Sequence, residues 1–318
     1  MVENTSKENQ TTITEFILLG FEHPPELWIP LFLLFFFVYI MTLAGNMTIV
    51  ALVVTDRSLQ TSMYIFLGNL SFLEMCYTST ILPRMLANIF RGNKAVTFNG
   101  CIIQLYCFSF LATAECYLLA VMAYDRYLAI CKPLHYAIMM NAKMTIQLVA
   151  ASWLCPVIVL TVLVVLVSGL TFCGPKEINH FFCDLSPVIH LSCTDIKGVL
   201  LTIFLMAIVD TFPPFLFTML SYVFIIATIL RMPSAKDRQK AFSTCSSHLT
   251  VVTLFYGTLI TVYALPQTDR FRDLNKICSL FYTILTPLAN PIIYSLRNKQ
   301  VKDALIRAFG KGKMYVGR

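Results

Sequence analysis

Three kinds of residue in this chain have the types and spacing to do chemistry. The first is the run Asp125-Arg126-Tyr127, an adjacent acid and base at the end of a long apolar stretch. Such a pair can latch neighbouring helices together and later release its guanidinium to an incoming partner. The plainer alternative is an arginine that reaches from a helix end to lipid headgroups. The second kind is three acids, Glu74, Glu115 and Asp210, set inside otherwise apolar segments. Buried carboxyls there hold a cation, keep a proton, or bond to a neighbouring hydroxyl. The third is a set of 11 cysteines. The five histidines are scattered and none belongs to an HExxH or a His-plus-CxxC pattern. No nucleophile–base pair accompanies them, so the sequence does not read as an enzyme. His180 precedes Phe181-Phe182-Cys183-Asp184, where packing on aromatics is a better expectation than metal binding.

The elements that must position these groups follow from composition. The 318 residues are 57% hydrophobic and 13% charged, and the mean hydropathy is +0.72. A water-soluble protein carries about 25% charged residues, so this chain lacks the charge to cover a water-facing surface. The apolar residues come in blocks rather than alternating, which excludes a membrane β-barrel. About 20 residues of helix cross the hydrocarbon core. Seven segments qualify: Trp28–Val54, Met63–Phe90, Gly100–Ile130, Met144–Val167, Gly198–Leu230, Gln239–Tyr263 and Leu274–Leu296. The expected fold is an all-α membrane protein, a seven-helix bundle over 28–296, with a tail at 1–27 and a basic tail at 297–318.

An odd number of spans puts the termini on opposite sides. Fifteen of the 24 basic residues fall on the side of the C-terminus, which makes that side cytoplasmic. The net charge of +7 is thus a matter of topology and attraction to anionic lipid, not of nucleic-acid binding. The first 27 residues hold five glutamates and no apolar core, so no cleaved signal is expected. They also offer Asn4 and Asn9 as N-glycosylation acceptors. From Asn298 to Phe309, Val301, Ala304, Leu305, Ala308 and Phe309 share one face opposite Lys302 and Arg307, the pattern of an amphipathic helix on the membrane surface.

Four cysteines fall on the outer side: Cys101 at the start of the third span, and Cys173, Cys183 and Cys193 in one loop. They can pair fully in an oxidising compartment, and three connectivities are open. Arg126 lies 25 residues after Cys101, about 38 Å of helix, at the inner membrane face. The seventh span ends in Asn290-Pro291-Ile292-Ile293-Tyr294. Pro291 removes a backbone donor and should kink the helix, and Tyr294 is expected to point toward the inner ends of the third and sixth helices.

These segments together resemble rhodopsin-like G-protein-coupled receptors, and within them the olfactory receptor family, over nearly the whole chain. The carrying motifs are Gly45-Asn46, Met63-Tyr64-Ile65-Phe66-Leu67, Met122 to Cys131 with Lys132-Pro133-Leu134-His135-Tyr136, Ser221-Tyr222, Lys240 to Leu249, and Pro291 to Asn298. Phe255-Tyr256-Gly257 is similar to the tetrapod-type (class II) branch. Three positions depart from the family's pattern: Ser62 replaces proline, Glu74 replaces aspartate, and Ala289 replaces leucine. Glu74 is one methylene longer and changes the geometry of any ion site there.

The resemblance implies a plasma-membrane receptor for a small odorant, coupled to an olfactory-type stimulatory G protein that raises cyclic AMP. It implies the pairs Cys101–Cys183 and Cys173–Cys193. Asp125, Arg126, Tyr127, Tyr222 and Tyr294 would form the G-protein switch. Glu74, Glu115, Asn290 and Asn46 resemble the surroundings of a sodium site; no other cofactor is implied. Counting outward from Arg126, the third helix presents Phe108, Ser109, Ala112 and Thr113 to the bundle. Homologous positions add Met206, Asp210, Tyr256, Leu259, Ile260, Tyr263, Leu280 and Thr283. This set is mostly apolar with a few hydroxyls. It suits a neutral, semi-volatile ligand with one oxygen function and micromolar or weaker affinity. A transporter or channel using the intramembrane acids is the alternative; the absence of inverted repeats and the low glycine content speak against it.

Overall fold

The computed structural model describes residues 14–21, 24–92, 94–172, 176–194, 196–264 and 269–315. Among these, seven helices are long and apolar enough to cross a membrane. The first five are Trp28–Thr55, Ser62–Arg91, Phe98–Cys131, Ala142–Ser168 and Lys197–Leu230. The sixth, Ala235–Ala264, begins four residues before the hydropathy pattern and includes the polar stretch Ala235–Arg238. The seventh is built in three parts. Asp269–Leu280 is α-helical, Phe281–Leu285 forms a π-helical turn, and Thr286–Arg297 is α-helical again. In that turn the Thr286 N–H reaches the Phe281 carbonyl, five residues back, and its side chain donates to the same oxygen at 3.0 Å. The irregularity therefore starts before Pro291, an example of the π-bulges common at functional sites.

Lipid cannot drive helices together by hydrophobicity, so close packing and hydrogen bonds hold the bundle. More than half of the apolar window of the second and third helices is buried, against 6% for the first. The second and third are the central pillars; the first, fourth and fifth face lipid with residues such as Phe37, Ile158 and Val209. Gly45 explains one close approach: a Cβ there would sit 3.0 Å from Pro291 Cγ. Any larger residue would have to push the first and seventh helices apart by a few tenths of an ångström at that point. Interhelical hydrogen bonds add about 0.6–2 kcal/mol each. Trp153 Nε1 donates to Asn69 Oδ1 at 3.2 Å, and Asn46 Nδ2 to the Pro287 carbonyl at 3.1 Å.

A short helix, Pro133–Met139, follows the third helix. The amphipathic C-terminal helix runs Lys299–Tyr315. Val301 and Ala304 are buried against the bundle, and Leu305 packs beside them. Arg307 anchors this helix to the loop between the first and second helices, with Nη2 at 2.7 Å from Asp56 Oδ2 and 2.9 Å from Ser58 Oγ.

The outer face carries a feature absent from the sequence expectations. Glu15–Leu18 forms a strand that pairs antiparallel with Ala95–Thr97 and parallel with Glu177–Ile178. Phe16 and Leu18 are fully buried beneath it. Part of the 1–27 tail is thus built into a three-stranded lid. Asn4 and Asn9 lie outside the described residues.

Candidate functional site

The lid is fastened to the bundle by a disulfide between Cys101 and Cys183. Cys193 is also disulfide-bonded; Cys173 lies outside the described residues. The chain beside Cys193 pairs with the start of the loop through the Phe172–Ser192 bridge and the Cys193 N–H to Thr171 carbonyl bond of 3.0 Å. Gln104, on the third helix, accepts from the Cys183 N–H at 3.0 Å and donates to the Thr80 carbonyl at 2.9 Å. It joins the disulfide to the second helix, a role that sequence reasoning missed.

Beneath the lid sits an aromatic cluster. His180 packs on Phe181 and Phe182, with ring centroids 4.7 and 4.6 Å away. Burial first, then the nearby Lys276 charge, holds its imidazole down at about 3, so it is neutral. Phe182 lies 4.6 Å from Phe108, which also meets Tyr77 at 5.2 Å and Tyr282 at 6.0 Å.

The other expected ligand contacts are distributed unevenly. Ser109, Ala112, Thr113 and Met206 are half-buried. Leu280 packs against the Phe108 cluster, while Leu259 packs against the inner cluster with Tyr256. The Thr283 hydroxyl is fully buried and donates to the Ser279 carbonyl at 2.6 Å. Tyr256 packs at a tilt against Phe215, with ring centroids 5.0 Å apart, and donates to the Cys116 carbonyl at 3.4 Å. Asp210 is buried and accepts from the Tyr117 hydroxyl at 2.9 Å; Tyr117 was not in the expected set. Ile260 needs correction as a lining residue. It is 49% exposed and belongs to none of the buried clusters, because the rotation of the sixth helix turns Phe255, Tyr256 and Val262 inward instead. The side chain of Tyr263 lies outside the described residues.

Farther inward, Asn290 Nδ2 donates to Glu74 Oε1. Asn46 bonds to the Thr42 and Pro287 carbonyls and borders Glu74, and Glu115 lies within electrostatic range of it. Among the described residues, four buried acceptors here lack a hydrogen-bond partner: Asn46 Oδ1, Glu74 Oε2, Glu115 Oε1 and Asn290 Oδ1. An oxygen-only set suits a hard cation. No group of three or more His, Cys, Asp or Glu suited to a metal occurs among the described residues.

At the inner end, Arg126 Nη2 is 3.4 Å from Asp125 Oδ2, and Arg126 Nε is 3.3 Å from Met63 Sδ. Asp125 also accepts from the Tyr136 hydroxyl at 2.8 Å, so the short helix after the third span closes the latch. Burial, together with the Asp125 charge, pushes the Tyr136 phenol well above its usual range, which keeps it a donor. Tyr222 bonds not to Arg126 but to His248 Nδ1, at 2.5 Å. Tyr127 is half-buried, its ring 6.1 Å from Phe224. Tyr294 is buried in the same inner cluster as Tyr222 and Met63, and its hydroxyl has no partner among the described residues. Beside this end, Cys131, Lys132, Pro133, Leu134, His135 and Met139 line a shallow cavity of about 390 Å³.

The profile of the olfactory receptor family matches residues 35–312. The chain belongs to the olfactory receptor family. It is 49% identical to human olfactory receptor 6B1 over 298 residues, covering 94% of this chain and 95% of that one. It is 47% identical to human olfactory receptor 11L1, covering 94% and 92%. Mouse olfactory receptor 5B21 is 45% identical, with 95% and 94% covered. As an olfactory receptor, the protein is an odorant-sensing G-protein-coupled receptor of the plasma membrane with several spans, and not an enzyme. Tyr136, His248, Tyr117 and Gln104 hydrogen-bond to Asp125, Tyr222, Asp210 and Cys183 of the olfactory receptor and were not among the residues expected from its sequence. Tyr136 and His248 do lie within the motif segments Lys132–Tyr136 and Lys240–Leu249, which was the available signal.

Proposed function

We propose that this receptor binds a small, neutral, mostly hydrophobic odorant under the Cys101–Cys183 loop. Binding releases Arg126 to the C-terminal helix of an olfactory-type stimulatory G protein, which raises cyclic AMP. The observation that carries this reading is the buried aromatic cluster of Phe108, Phe182 and Tyr282 beneath the lid, beside which the third helix offers the hydroxyls of Ser109 and Thr113 but no acid. Asp210, the one nearby carboxyl of the expected set, is already engaged by Tyr117, so it need not pair with an amine. Burial of apolar ligand surface at about 25 cal/mol per Å² supplies the affinity.

In the same reading, Glu74, Glu115, Asn290 and Asn46 hold a sodium ion that favours the closed state; their four unpartnered acceptors support this. The ion would offset the mutual repulsion of two buried carboxylates. The test is a panel of volatiles in a cyclic AMP assay with Arg126→Ala and Glu115→Gln variants at matched surface expression. Arg126→Ala should bind ligand without signalling, and Glu115→Gln should lose sodium dependence. Full signalling in Arg126→Ala would overturn the switch. Unchanged sodium dependence in Glu115→Gln would overturn the ion site. Activation by charged amines alone, abolished in Asp210→Asn, would overturn the neutral-ligand reading.

A further inference from the structure

At the outer end of the seventh helix, Asn275 is buried, and neither its Nδ2 nor its Oδ1 has a hydrogen-bond partner among the described residues. One turn inward, Ser279 is completely buried, and its Oγ is also without a partner among them. Residues four apart share a helix face, and this face continues through Tyr282, Thr283 and Thr286, all buried. Tyr282 leads to Phe108, 6.0 Å away, and so to the aromatic cluster beneath the lid. Lys276, next to Asn275, donates to the Gly20 carbonyl at 3.1 Å, and the Gly20 N–H donates to the His180 carbonyl at 3.1 Å. The N-terminal strap and the lid therefore close over this end of the helix. Tyr282 and Thr283 supply packing below, but Thr283 gives its hydroxyl proton to the Ser279 backbone, leaving the Ser279 side chain untouched.

Buried polar groups are almost always paired, because an unmet donor or acceptor carries its full desolvation cost. Here an amide nitrogen, an amide oxygen and a hydroxyl stand unmet among the described residues, one turn apart on a face that runs to the buried aromatic cluster. A carbonyl, ester or ether can answer only the donors and would leave Asn275 Oδ1 bare. A hydroxyl answers both kinds of group, donating to Asn275 Oδ1 while accepting from Ser279 Oγ or Asn275 Nδ2.

We propose that Asn275 and Ser279 form an outer subsite for the hydroxyl group of an alcohol odorant, whose hydrocarbon chain runs inward along Tyr282 and Phe108. The proposal deepens the odorant reading above and rests on it. It assigns the ligand's polar end to the seventh helix, outside the residues inferred from the sequence, and it sets the orientation of the bound molecule.

The test compares linear primary alcohols with their methyl ethers in a cyclic AMP dose–response, with aldehydes, esters and thiols in the same run. Alcohols should act at concentrations about tenfold or more below their ethers. Asn275→Leu should raise the alcohol EC50 about tenfold or more and the ether EC50 less, because it also removes the acceptor that only an alcohol meets; Ser279→Ala should raise both by removing a donor, and Ser279→Thr, which keeps the hydroxyl, should retain alcohol potency. Surface labelling reports whether each variant folds. If a variant does not reach the surface, the wild-type alcohol-to-ether ratio decides. Equal potency of alcohol and ether, or alcohol potency unchanged in both variants, overturns the subsite and leaves water as its occupant. Activation by other classes but not by alcohols overturns it while the odorant reading stands. Silence toward every class overturns the odorant reading, and the subsite with it.

Discussion

Replacing Asp125 by Asn removes the charge from the inner latch while keeping its shape. Asn retains an oxygen that can accept the Tyr136 hydroxyl, now at 2.8 Å. What is lost is the attraction between Asp125 and Arg126, whose closest charged atoms are 3.4 Å apart and whose side chains are 1% and 13% exposed. At an effective dielectric constant of about 20 that attraction is about 5 kcal/mol before desolvation is set against it. Desolvation of both groups returns much of this, and a coupling of about 1–3 kcal/mol is left. The open-to-closed ratio should then rise about 5- to 150-fold. A receptor about 1% open at rest would become between about 5% and 60% open. The assay is cyclic AMP in ligand-free cells at matched surface expression, with Arg126→Ala alongside, which should not rise because it lacks the guanidinium that meets the G protein. Basal signalling in Asp125→Asn equal to wild type would refute the latch.

Other expectations follow from the same geometry. Tyr136→Phe should free the Pro133–Met139 helix from Asp125, seen as faster hydrogen exchange there, with a loss of about 1.5–3 kcal/mol for a hydrogen bond to a charged group. His180 is held at about 3 by burial and by Lys276. An opened lid takes up a proton below pH ~6.5 that the packed one refuses. Lid stability is therefore complete above that pH and falls by about 1.4 kcal/mol per unit below it. Exchange over residues 177–184 should accelerate between pH 6.5 and 5, and His180→Phe should flatten the profile. The Asp56 carboxyl is lowered to about 2, first by its bond to Arg307 and then by Ser58. Its clasp is intact above the usual carboxylate pKa and is lost only below it, as pH falls toward about 2. Asp56→Asn should loosen the Lys299–Tyr315 helix equally at pH 5 and pH 8 in exchange measurements. Phe108→Ala removes a ring that touches Phe182, Tyr77 and Tyr282. It should cost about 3–5 kcal/mol, measured as a lowered Tm in detergent, and weaken odorant response.

By itself, the sequence determined the parts of this receptor that depend on local composition. Runs of apolar residues specify seven spans regardless of what they pack against, since each helix satisfies its own backbone in lipid. The three- and four-residue spacing of Val301, Ala304 and Leu305 specifies a C-terminal amphipathic helix, and those residues are the ones packed on the bundle. The motifs at Asp125-Arg126 and in the sixth helix pointed to the family. Tertiary structure alone decided the rest. Hydropathy sets that a helix exists but barely sets its rotation, which is why Ile260 turned outward while Tyr256 stayed in. Hydrogen-bond partners distant in sequence carry no local signal: Tyr117 with Asp210, Tyr222 with His248, and Cys183 with Gln104 meet only once the helices have assembled. The strand Glu15–Leu18 is too short to declare itself, and forms because two loops that the bundle brings together offer edges on both its sides. The polar atoms of Asn275 and Ser279 that are unmet among the described residues become visible only when burial removes the water that would otherwise answer them.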